Sequence, residues 1–100
     1  MARSSKAEAS KYLLFSASWC LPCKDLKKEL RADAPELLKL IEVVNIDSKA
    51  GKTLARRYGI GCLPTLVRLI DGKKVDWIEG YAEGHIKEIG RFLKGGKGDA

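Results

Sequence analysis

The sequence lacks the marks of several protein classes. No apolar run approaches the roughly 20 residues that a membrane-crossing helix needs, so none is expected. Residues 1–10 are polar and small and lack the apolar stretch and cleavage pattern of a secretory signal, which points to an intracellular, cytoplasmic protein. Cysteine is scarce and its count, 3, is odd. An odd set cannot close a structural disulfide framework. A reducing compartment and chemical use of a Cys pair fit better. Histidine occurs once, which leaves little for a metal site. No basic run is interleaved with aromatics, as a stacking platform for nucleic acid requires.

What is present suits a small globular domain. One hundred residues make one domain. A hydrophobic fraction of 45% supplies a modest core. The formal charge of +6 comes from 19 Lys and Arg against 13 Asp and Glu. The basic residues run from Arg3 to Lys97 and are interleaved with acids. This charge reads as a solvated surface, or as a basic face that attracts acidic partner proteins.

Along the chain, residues 4–11 read as a helical turn. Residues 12–15 form an apolar run and read as a strand buried on both faces. From Cys23 to about residue 33 the pattern is helical, with Leu26 and Leu30 four apart. Pro35 stops or restarts that helix. Residues 41–46 are apolar and β-branched, a second strand. Ser48 caps a helix over residues 49–58, and Gly59 ends it in a left-handed conformation. Residues 65–70 form a third strand, Asp71 and Gly72 a hairpin turn, and residues 74–79 a fourth strand broken by Gly80. A last helix covers residues 83–93, with Ile86, Ile89, Phe92 and Leu93 at helical spacing. The domain therefore spans residues 1–93, followed by a flexible Gly-rich tail over 94–100. One parallel βαβ unit and one antiparallel pair imply a mixed four-stranded sheet flanked by helices, an α/β fold.

The chemistry concentrates in Cys20-Leu21-Pro22-Cys23, at the first strand-to-helix junction. Cys20 falls at a helix N-terminus, where unpaired N–H groups and the dipole favour a thiolate. Thiols so placed have pKa values of about 3.5–7.5. Pro22 sits in the first turn, where its missing N–H is harmless. Cys23 lies one turn on, within reach of a mixed disulfide at Cys20 and more enclosed. The pair is also half of a zinc site, but zinc needs four ligands and only Cys62 and His85 remain. An inert buried pair is the third reading.

These residues resemble a known family. Trp19-Cys20-Leu21-Pro22-Cys23-Lys24 is similar to the thioredoxin signature Trp-Cys-Gly-Pro-Cys-Lys, with Leu21 for Gly. Val44-Asn45-Ile46-Asp47 resembles the family's second-strand ending. Tyr58-Gly59-Ile60-Gly61-Cys62-Leu63-Pro64-Thr65-Leu66 resembles its Tyr-Gly-Ile-x-x-x-Pro-Thr-Leu stretch, and Asp71-Gly72 and Gly80 fall in register. The resemblance implies a thioredoxin-like fold without the first strand of a full thioredoxin. It implies a protein-disulfide reductase in which Cys20 attacks, Cys23 resolves, and no cofactor or metal takes part. It further implies that Leu63–Pro64 is a cis peptide facing the pair. Trp19, Leu21, Pro22, Leu63 and Pro64 would then bind an extended substrate segment. The implied partners are disulfide-containing proteins and a thioredoxin reductase or other thiol donor, with the protein a monomer. A short basic member also resembles those some phages encode beside ribonucleotide reductase, which makes that enzyme a candidate partner.

Three departures qualify the resemblance. The stretch before Cys20 is short. Leu14 stands where the family keeps a buried Asp that moves the Cys23 proton, and Val43 where a buried Lys partners that Asp. Losing both avoids an uncompensated buried charge. Cys62 is a third thiol near the docking surface, either a bystander or a site of glutathionylation or dimer formation. Two other functions stay open: a binding module whose cysteines are dispensable, and a disulfide isomerase or oxidase.

Overall fold

The computed structural model describes residues 10–81 and 85–93. The strands are β1 (Ser10–Ser16), β2 (Ile41–Asn45), β3 (Thr65–Ile70) and β4 (Lys73–Glu79). The helices are α1 (Leu21–Asp33), α2 (Pro35–Leu38), α3 (Lys49–Arg57) and α4 (His85–Leu93). Among the described residues the sheet has the order β2-β1-β3-β4. β1 and β2 run parallel, while β1–β3 and β3–β4 are antiparallel. This is the mixed four-stranded α/β architecture expected. The helical turn at residues 4–11 falls largely, and the tail at 94–100 wholly, outside the described residues; Ser10 and Lys11 belong to β1.

Alternation along β1 explains why it lies at the centre. Leu13 and Phe15 point into a core with Val44, Val67 and Leu69, which α3 and the loop after it cover through Leu54, Ala55, Tyr58 and Ile60. Leu14 points the other way, into a core with Leu26 and Leu30 of α1, Leu37 of α2, Leu66, and Ile89 and Leu93 of α4. Burial on both faces makes residues 13–15 read as a continuous apolar run rather than an alternating one.

The local signals act where they stand. Ser48 Oγ accepts the Gly51 N–H at 2.9 Å and caps α3. Asp71 and Gly72 have φ of 54° and 82°, the pair of positive values that a two-residue hairpin turn of right-handed twist requires. Pro35 restarts the chain as the short α2. Boundaries differ by a few residues: β1 begins at Ser10, β2 ends at Asn45, and α1 begins at Leu21 rather than Cys23. Hydrogen bonding sets the last of these, because Cys20 rather than a later residue serves as the N-cap.

One expectation about the core is overturned. Val43 does not occupy a buried position opposite Leu14. The two are register partners, but Leu14 is 1% exposed and Val43 43%. β2 is an edge strand among the described residues, and only Val44 of its five residues is buried.

Candidate active site at the β1–α1 junction

The chain leaves β1 at Ser16 and turns through Ala17, whose carbonyl accepts the Cys20 N–H at 3.1 Å. Cys20 has extended dihedrals and caps α1 with its own sulfur, Sγ accepting the Cys23 N–H at 3.2 Å. A sulfur therefore takes one of the N–H groups that a helix start leaves unpaired. The first turn of α1 carries no acidic side chain, so no carboxylate competes with the sulfur for the dipole. Pro22 lies in that turn. Cys20 and Cys23 are joined as a disulfide, with Cα atoms 5.3 Å apart.

Burial divides the pair. Cys23 is fully buried and Cys20 is 6% exposed, both packed with Ala17 and against Ile46 and Leu63. Cys20 is thus more enclosed than a bare helix terminus implies. The side chains around it, not the helix, close it in.

Those side chains form an apolar groove of about 520 Å³. Trp19, Leu21 and Pro22 line it on the Cys20 side, with Ile60, Gly61, Cys62 and Leu63 opposite and Ile46 and Ala55 between. Trp19 and Leu21 are 66% and 65% exposed, the largest exposures among the big apolar side chains described. The Trp19 indole N–H donates to Asp47 Oδ1 at 3.2 Å, so this exposed ring is fixed by the turn that follows β2.

The facing loop is held by its own bonds. Gly59 takes φ 65° to end α3, and the Ile60 N–H returns to the Ala55 carbonyl at 2.9 Å. Thr65 Oγ1 donates to the Cys62 carbonyl at 2.7 Å, and the Gly80 N–H donates to the Pro64 carbonyl at 2.7 Å. The Leu63–Pro64 peptide is cis. Pro64 is buried and Leu63 half-buried. The N–H and C=O of Leu63 have no partner among the described residues.

Trp19, Cys20, Leu21, Pro22 and Leu63 thus meet at one groove, and Pro64 lies buried next to Leu63 in the chain and does not line it. The zinc reading finds no third and fourth ligand for the pair among the described residues. Sequence reasoning did not single out the groove walls Ile46, Ala55 and Ile60, which only the packing of α3 on the sheet brings to the junction. It also missed Lys27, whose Nζ reaches Ser16 Oγ at 3.4 Å. The available signal was the helical spacing of four between Cys23 and Lys27.

The thioredoxin family model matches residues 4–92. A thioredoxin of Griffithsia pacifica is 35% identical over 66% of this chain and 61% of its own length. A thioredoxin of Chlamydia caviae is 42% identical over 69% and 67%. The alignment with the Griffithsia protein and that with a Porphyra purpurea thioredoxin each span about three fifths of the relative's length. Among solved structures, Fasciola hepatica thioredoxin superposes with a TM-score of 0.67 at 28% identity, covering 90% of this chain and 86% of that one. Thioredoxin f2 of Chlamydomonas reinhardtii has a TM-score of 0.69 at 21% identity over 95% and 85%, a likeness of fold. The chain belongs to the thioredoxin family.

Proposed function

We propose that this protein is a thiol–disulfide oxidoreductase that reduces protein disulfides through Cys20 and Cys23. The observation that carries the reading is the asymmetry of the pair. Cys20 caps α1 with its sulfur at the floor of an open apolar groove, while Cys23 is sealed behind it. A helix N-terminus stabilises the Cys20 thiolate. That thiolate attacks one sulfur of a substrate disulfide. The substrate S–S bond breaks, its other sulfur leaves as a thiolate that takes up a proton, and Cys20 is joined to the substrate. Cys23 then loses its proton and attacks Cys20 Sγ. The Cys20–Cys23 bond forms and the second substrate thiolate departs. Two electrons have passed from the dithiol to the substrate, and a dithiol donor such as a thioredoxin reductase restores the pair.

Trp19, Leu21, Pro22, Leu63 and Pro64 are the proposed docking residues. An extended substrate segment lies across the groove and pairs with the N–H and C=O of Leu63 in the manner of an added strand. Disulfide-containing proteins, ribonucleotide reductase among them, are the proposed substrates. The protein works as a monomer, and a reducing compartment such as the cytoplasm suits it.

The test is reduction of insulin disulfides with dithiothreitol as electron source. Catalytic amounts of the protein are expected to accelerate the reaction severalfold over dithiothreitol alone. A rate equal to that background contradicts the reductase reading and leaves the binding module. Catalysed oxidation of substrate dithiols by oxidised glutathione instead supports the oxidase.

A further inference from the structure

Lys27 stands one helical turn beyond Cys23 on the same stripe of α1. Side chains on a helix lean toward its N-terminus, so Lys27 runs back toward the Cys pair. Its Nζ donates to Ser16 Oγ at 3.4 Å in a partly buried place. Ser16 is 2% exposed and is followed by Ala17, which packs on both cysteines. An ammonium is therefore tied to the buried hydroxyl of the residue that precedes Ala17. Among the described residues Lys27 meets no carboxylate. The residue that shares the strand face with Ser16, two positions earlier, is the apolar Leu14.

This charge bears on the resolving step. Cys23 must lose its proton in a site with 0% exposure, and an uncompensated buried anion is strongly disfavoured. We propose that Lys27, held by Ser16, is a positioning residue whose positive charge stabilises the Cys23 thiolate as it attacks Cys20 Sγ. The same charge favours the dithiol over the disulfide, because only the dithiol carries thiolate character. The inference rests on the proposed thiol–disulfide activity. In the step, the Cys23 proton passes to solvent, the Cys20–substrate S–S bond breaks, the Cys20–Cys23 bond forms, and the departing substrate thiolate takes up a proton. Lys27 keeps its protons throughout.

The test compares the parent with Lys27→Met, Lys27→Arg and Ser16→Ala in buffers of reduced and oxidised glutathione. The Cys20–Cys23 equilibrium is read by acid quenching, alkylation and mass spectrometry. Methionine keeps the apolar stem and removes the charge. Lys27→Met is expected to shift the equilibrium toward the disulfide by about 3–10-fold, or about 14–30 mV at 29.6 mV per tenfold. Its resolution of a preformed Cys20–glutathione mixed disulfide should slow by a similar factor. Lys27→Arg should stay within about twofold of the parent, and Ser16→Ala should move the same way as Lys27→Met by less. A Lys27→Met protein with the parent's equilibrium and resolving rate overturns the inference, whatever its thermal stability. If the parent itself does not exchange with glutathione, the functional reading fails and this one with it.

Discussion

Serine in place of Cys20 is expected to bring dithiothreitol-driven disulfide reduction down to the uncatalysed background, a loss of roughly a thousandfold or more in the protein's own contribution. A hydroxyl at the α1 N-cap can accept the Cys23 N–H as the sulfur does, so the fold should persist. It cannot act as a thiolate at neutral pH, and no first bond to the substrate forms. Cys62 does not substitute for it. That thiol lines the same groove but lies on the facing loop, beside Thr65 Oγ1 at 3.7 Å, with no second cysteine to release a mixed disulfide. The check is the insulin assay together with far-ultraviolet circular dichroism. A folded Cys20→Ser protein that retains a substantial part of the parent's rate would refute the assignment of Cys20 as nucleophile.

The largest expected effect on stability is at Leu14. This side chain is 1% exposed among Leu26, Leu30 and Leu66 at the centre of the α1 face. Leu14→Asp removes apolar packing and leaves an acid in its place, so a loss of about 3–5 kcal/mol is expected at neutral pH. Desolvation raises the folded-state pKa of the new carboxyl above its unfolded value. Between those two values the folded state binds more protons than the unfolded state, so stability relative to the parent falls as pH rises through that window. Below the unfolded value the acid is neutral in both states and the deficit is smallest. Val43 offers no cation. Lys27 is one candidate, with its head at Ser16 two residues further along the strand, about 7 Å of strand rise. Its compensation is partial, and the deficit should deepen when Lys27→Met is added. Urea unfolding of the single and double variants at pH 5 and pH 8 measures all of this. A Leu14→Asp protein as stable as the parent at pH 8 would show that position 14 does not face the core.

Much of the fold was legible because its signals are local. The apolar run at β1, the Ser48 cap, the Gly59 end of α3 and the Asp71–Gly72 turn each act through a few consecutive residues. The position of the Cys pair at a helix start was legible for the same reason. What escaped depends on residues distant in sequence. Val43 is β-branched and sits mid-strand, which reads as buried, yet β2 is an edge among the described residues and leaves it open. Cys20 reads as exposed from its helix terminus, yet Ile46 and Leu63 cover it from elements 26 and 43 residues away. Lys27 reads as a surface lysine of α1. Only the packing of α1 across the end of β1 brings its ammonium to Ser16.

Capture of the covalent intermediate distinguishes disulfide exchange from every non-redox use of this fold. Cys23→Ser protein, reduced and then mixed with a protein disulfide substrate, cannot resolve the first bond it makes. Intact-mass and peptide mass spectrometry should find one substrate chain joined to each protein molecule, reversible by dithiothreitol, with the bond at Cys20. Absence of any adduct, or a substrate chain joined at Cys62 with Cys20 free, would contradict a reaction that begins at Cys20.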